Sequence, residues 1–184
     1  MSTGRGRKPV MLVGAANLLA AALVACGGVT TAPKAAGPPA TQPPAVAPPA
    51  PQPTADGPCR YLPAASVESA NGQRVTGVRI SATGPGQPYP ACFFFTYHNA
   101  VQLRTWIVVG TPRVAGATVD AAAPVATSDL VGLPGGWSGG SQPTAEGAVF
   151  AVAKQGTAVV ITTNQRQTIS ARRIAEQVIA TLGL

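Results

Sequence analysis

Apolar positions fall into three regimes along this chain. From Val10 to Val24 they form an almost unbroken run, behind the cations Arg5, Arg7 and Lys8. From Gly27 to Gly57 they nearly vanish into Ala, Pro, Thr and Gln. From Cys59 onward they return with the periods of folded structure. Pro63 followed by Ala64-Ala65-Ser66-Val67-Glu68 predicts a short helix starting just after the proline. Val75 to Ala82, with Val78 and Ile80 among polar neighbours, alternates as a strand does. Thr83 to Pro90 is a Gly and Pro rich loop. Ala91 to Tyr97 holds Phe93-Phe94-Phe95 and predicts a central strand with aromatic mass on both faces. His98-Asn99 turns the chain into a second strand, Val101 to Val109. Val101, Leu103, Ile107 and Val109 occupy one face of that strand, and Gln102, Arg104 and Trp106 the other.

The rest of the pattern is simpler. Ala115 to Ala123 predicts a helix stopped by Pro124, and Ala126 to Gly147 reads as a long glycine-rich connection containing Trp137. Ala148 to Ala153 and Thr157 to Thr163 predict an antiparallel hairpin turning at Lys154-Gln155-Gly156. Ser170 is placed to cap a last helix whose apolar stripe is Ala171, Ile174, Ala175, Val178 and Leu182, with Gly183 as its stop. The expected fold class is α+β. It consists of a small antiparallel sheet of about five strands with a C-terminal helix and one or two further helices packed on it.

The first regime has the order of an export signal. At about fifteen residues it is shorter than the roughly 20 a membrane-spanning helix needs. Gly6 separates the two arginines, which favours the general secretory route over a twin-arginine signal. Leu23-Val24-Ala25-Cys26 resembles a bacterial lipobox. That resemblance implies cleavage before Cys26 and a diacylglyceryl group on its thiol. Two or three acyl chains, at roughly 0.8 kcal/mol per buried methylene, would hold the mature protein firmly on a bilayer. The expected organisation is therefore a signal peptide over 1–25, a lipidated Cys26 with a Pro/Ala-rich disordered stalk over 26–57, and a single globular domain over 58–184. The stalk composition suits polyproline II or disorder.

The formal charge of +7 overstates the mature balance. Removing Arg5, Arg7 and Lys8 from 13 Lys and Arg leaves 10 against 6 Asp and Glu, or +4. With no basic cluster interleaved with aromatics, nucleic acid is not an expected partner. Anionic lipid headgroups, wall polymers or an envelope protein fit better. Beyond Cys26, the even pair Cys59 and Cys92 is expected to form a disulfide in an oxidising compartment. No metal or cofactor is expected, since two cysteines and the single His98 cannot complete a site.

Gly136-Trp137-Ser138-Gly139-Gly140 satisfies the G-x-S-x-G pattern of a hydrolase nucleophile elbow. An elbow needs a strand before its serine, a helix after it, and acid and His later in the chain. Here Pro134 and Gly135 precede, Pro143 follows, and His98 lies upstream. Asp120, Asp129, Glu146 and Glu176 are scattered over separate elements, so no acid–base pair is apparent. No enzyme activity is expected, with a serine hydrolase at Ser138 as the remote alternative.

Asn71-Gly72-Gln73-Arg74-Val75-Thr76-Gly77, Cys92-Phe93-Phe94, Gly136-Trp137-Ser138-Gly139-Gly140 and Thr162-Thr163-Asn164-Gln165 together resemble a family of envelope lipoproteins from mycobacteria and related actinobacteria. That family's exported C-terminal domain has no assigned activity. The resemblance runs from Cys59 to the C-terminus and implies an address, the extracytoplasmic face of the cell membrane, and a domain type. It carries no functional residue. The expected function is a non-catalytic binding or interaction domain on a lipid-anchored envelope protein. The alternative is a carrier of lipid or an apolar small molecule, with Phe93, Phe95, Trp106 and Trp137 as the candidate ligand-binding residues.

Overall fold

Nine consecutive residues, Val101–Val109, form the long strand β4 at the middle of the structure. The computed structural model describes residues 43–184. The expected export signal, Cys26 and the first part of the expected stalk lie outside the described residues. In chain order the elements are β1 (Ala55–Asp56), α1 (Ala64–Asn71), β2 (Gly77–Ile80), β3 (Cys92–Phe95), β4, α2 (Pro112–Ala122), β5 (Asp129–Leu133), β6 (Trp137–Pro143), β7 (Ala148–Lys154), β8 (Thr157–Thr163) and α3 (Thr168–Leu182). The strands make one sheet in the order β1-β2-β3-β4-β8-β7-β6-β5. Every pairing in it is antiparallel.

The α+β class holds, but the sheet has 8 strands where about five were expected. The additional ones have physical causes. β5 and β6 occupy what reads as a glycine-rich connection, because their strand character is carried by backbone pairing and close approach rather than by alternating side chains. A Cβ at Gly139 would run into the carbonyl oxygen of Ala151 on β7. A Cβ at Gly140 would meet Ser128 Oγ and lie 3.0 Å from the Ala123 carbonyl, so its absence lets the end of α2 settle on the sheet. Gly135 and Gly136, at φ 85° and 86°, turn the hairpin in a conformation that favours glycine. β1 lies in the segment read as stalk and is only two residues long, pairing Ala55 with Ile80 and Asp56 with Arg79.

Both faces of the sheet are covered. On one, Phe94, Leu103, Ile107, Phe150, Val152, Val159 and Ile161 pack with Val67 of α1 and the stripe Ala171, Ile174, Ala175 and Val178 of α3. On the other, Trp106, Val108, Val149, Ala151 and Val160 pack beneath Ala115, Val119 and Ala123 of α2 and the residue after it. Thr111 caps α2, accepting a hydrogen bond from the Val114 amide at 3.3 Å, and Pro112 occupies its first turn. The helix therefore begins three residues before the expected Ala115. At α3 the first helical residue is Thr168 rather than one after Ser170. The Ser170 hydroxyl instead donates to the Ala70 carbonyl at 2.7 Å, tying α3 to α1.

A bulge changes the facing of β4. Phe94 pairs with Leu103, but Phe95 pairs with Val101, so Gln102 is the extra residue. One inserted residue moves everything before it to the opposite face. Val101 therefore joins the face of Phe93, Phe95 and Arg104, not that of Leu103 as simple alternation implied.

Cys59 and Cys92 form a disulfide, joining the segment before α1 to the start of β3. Beside it, the buried Tyr61 hydroxyl donates to the Pro90 carbonyl at 2.8 Å and lies 2.7 Å from Thr105 Oγ1. Desolvation pushes the Tyr61 pKa up to about 12, with the Thr105 hydrogen bond as a smaller opposing influence.

Candidate functional site

Registered pairs lay out one row across the sheet on the α2 side: Arg79, Phe93, Arg104, Thr162, Val149 and Gln142. α2 covers the neighbouring rows, but only its C-terminal end reaches toward this one. A cleft of about 500 Å³ opens there. Phe93, Val101 and Val149 give it apolar walls, Arg104 and Thr162 lie on its sheet side, and Ala121 and Glu146 stand at the helix end and the β6–β7 loop.

Arg104 makes this cleft unusual. Its Nε is sealed from solvent and has no hydrogen-bond acceptor. Burial pulls the guanidinium pKa below its ordinary value, yet an arginine stays charged at neutral pH. The two ion pairs among the described residues, Arg79–Asp56 and Arg172–Glu176, do not include it. Glu146 lines the same cleft without closing onto it. A buried donor left unpaired costs roughly 1 to 3 kcal/mol, and more when it belongs to a charged group. The other buried side-chain atoms without partners among the described residues are Gln102 Oε1 and Trp106 Nε1, so all three sit on β4 at alternate positions.

A larger cleft, about 750 Å³, lies against Tyr61, Ile80, Pro88, Tyr89, Pro90 and Leu182. It is more voluminous but chemically quieter, because its buried hydroxyls, those of Tyr61 and Ser81, each already have two partners. Unmet hydrogen-bonding capacity, rather than volume, singles out the Arg104 cleft.

Of the four aromatic candidates from sequence, Phe93 lines the Arg104 cleft. Phe95 lies on the same face beneath the Arg79 guanidinium, whose carbon is 5.2 Å from the ring centroid. Trp106 is buried under α2. Trp137 is in the core on the opposite face, with Lys154 Nζ 5.4 Å from its ring. The first three thus share a face, and Trp137 does not join them. Glu146 and Ala121 escaped sequence reasoning as cleft residues, since nothing local places a loop and a helix end over β4.

Ser138 is an exposed strand residue inside β6, paired with Gly132 and Ala153. It does not occupy a strand-to-helix elbow. His98 belongs to the turn between β3 and β4, at φ 60°. Among the described residues no group of three or more His, Cys, Asp or Glu is placed to hold a metal ion.

Two of the sequence motifs meet in one polar knot. Asn71 Nδ2 donates to the Gln102 carbonyl at 3.1 Å, and Thr163 Oγ1 donates to Asn71 Oδ1 at 3.2 Å. Asn164 Nδ2 reaches Gln73 Oε1 at 2.9 Å. The end of α1 is thereby joined to the end of β8.

An antiparallel sheet sandwiched between helices, with a charged cleft beside one helix end, defines a three-layer α+β domain. Residues 43–184 match the family described as a domain of unknown function, DUF2020, and the chain belongs to that family. No curated protein matches the sequence.

Proposed function

We propose that this chain is an extracytoplasmic lipoprotein held to the cell membrane through Cys26, and that its DUF2020 domain is a non-catalytic binding module using the Arg104 cleft. The export signal ahead of Cys26 supports the address, as do the proline-rich stretch after it and the resemblance to actinobacterial envelope lipoproteins. A disulfide between Cys59 and Cys92 suits an oxidising compartment. The observation that carries the binding reading is the buried Arg104 Nε, unpaired at the edge of a ligand-sized cleft.

The second reading is a carrier of lipid or an apolar small molecule, favoured by the apolar walls of Phe93, Val101 and Val149. It is the weaker one, because both faces of the sheet are filled by core side chains and the cleft lies outside them. Catalysis at Ser138 has less support still, since that residue is the second of strand β6 and no helix follows directly.

Mass spectrometry of the membrane fraction tests the anchor. Acylated Cys26 at the mature N-terminus is expected, and an intact Met1 with an unmodified Cys26 overturns it. Native mass spectrometry of the full chain, gently extracted from the envelope, tests the cleft. A retained small molecule should disappear in Ala121→Trp, which fills the cleft from an exposed helix position. A molecule retained equally by that variant places the binding elsewhere.

A further inference from the structure

Resting on that reading of the cleft, we propose that its ligand is a monoanionic carboxylate carrying an apolar portion. The carboxylate meets the Arg104 guanidinium, and the apolar portion lies among Phe93, Val101 and Val149. An arginine that merely lays its stem on the sheet keeps its head in water. Arg104 is half-buried: its Nε is shut off from solvent with nothing to accept its hydrogen, while the side chain lines the open cleft. Its registered neighbours are Phe93 on one side and Thr162 on the other, so it sits between an aromatic ring and a hydroxyl, and neither ion pair among the described residues includes it. The guanidinium is therefore the cationic group that the cleft offers to a ligand.

The charge of the cleft narrows the choice. Arg104 is its one cation and Glu146 its one anion among the residues that line it. With Arg104 and Glu146 in balance, a phosphate dianion would bring the cleft to −2 and a monoanion only to −1. A single carboxylate thus adds the smaller excess, and it matches the planar fork of a guanidinium. The walls beyond are apolar, which suits an aryl or short alkyl group on that carboxylate.

The test is an NMR titration of the full-length protein in detergent, following the Arg104 Nε–H resonance. The probes are phenylacetate, phenylacetamide and inorganic phosphate. Phenylacetate is expected to shift that resonance, while the amide and phosphate leave it in place. Arg104→Lys should weaken phenylacetate binding by at least about tenfold. Glu146→Gln, on the exposed rim, should strengthen it. Circular dichroism confirms that each variant is folded, and Ala121→Trp gives a second block that leaves the arginine in place.

Equal binding of amide and acid overturns the carboxylate inference and leaves the cleft as a ligand site. Phosphate binding more tightly than phenylacetate also overturns it. If no probe moves the resonance and Ala121→Trp leaves the retained molecule untouched, the binding reading falls with it.

Discussion

Raising the pH should loosen the domain through a single phenol. Tyr61 has an ordinary pKa of 10.0 when exposed, and burial moves it to about 12 in the folded protein. A folded value above the unfolded one means that the neutral form is favoured by folding. The associated stability is complete below pH 10 and disappears as pH climbs toward 12. At about 1.4 kcal/mol for each tenfold change in proton affinity, the whole effect is about 3 kcal/mol, of which roughly half is gone at pH 11. Geometry agrees: a phenolate cannot donate to the Pro90 carbonyl, 2.8 Å away, and would face its lone pairs instead. Urea denaturation from pH 8 to 11 measures this directly. The wild-type midpoint should fall above pH 10, whereas Tyr61→Phe should start roughly 1 to 2 kcal/mol lower and lack that component of the decline, because it strands the buried Thr105 hydroxyl but cannot ionise. A parallel decline in the two proteins refutes the assignment.

Four further outcomes follow from the packing. Replacing Cys59 and Cys92 together by serine should cost about 3 to 4 kcal/mol in urea denaturation, from the chain freedom released across a separation of 33 residues; unchanged stability would argue that the bond is absent. Gly140→Ala should lose roughly 1 to 3 kcal/mol by pushing Ser128 and the Ala123 carbonyl off the sheet, while Ala at Gly77, where nothing lies within 4 Å, serves as the mild control. Asn71→Ala should cost roughly 1 to 3 kcal/mol by leaving its buried partners without hydrogen bonds, and a loss below about 0.5 kcal/mol in thermal melts would show the knot to be decorative. Arg104→Met should match the wild type or exceed it by up to about 2 kcal/mol without ligand, since it removes an unpaired buried donor; marked destabilisation would mean that the guanidinium has a partner in solution.

What could be read from residues alone divides along a physical line. β4 was recovered with both boundaries, and β7, β8 and α3 closely, because alternation marked β4, two apolar runs about a glycine turn marked β7 and β8, and a helical stripe marked α3. β6 was hidden because Gly139 and Gly140 contribute by having no side chain, a property of their neighbours across the sheet. The bulge at Gln102 was hidden for a related reason: it exists only in the pairing of β3 with β4. Arg104 could be picked out as a cation on a strand face, since the alternation of β4 was plain. Its lack of a partner could not, because that depends on where α2 ends and where the loop bearing Glu146 lands. Trp137 illustrates the converse: an aromatic in a supposed loop looked available, but the unread hairpin buries it on the opposite face.

The neighbour of β4 in the middle of the sheet is β8, made of Thr157–Thr163, and not the strand that follows β4 in sequence. A nascent polypeptide emerging N-terminus first therefore carries its longest strand with one margin bare until nearly all of the chain has been released. Assembly of the two halves waits for the last segment. A truncation before Thr157 should yield an aggregation-prone fragment rather than a smaller version of the domain.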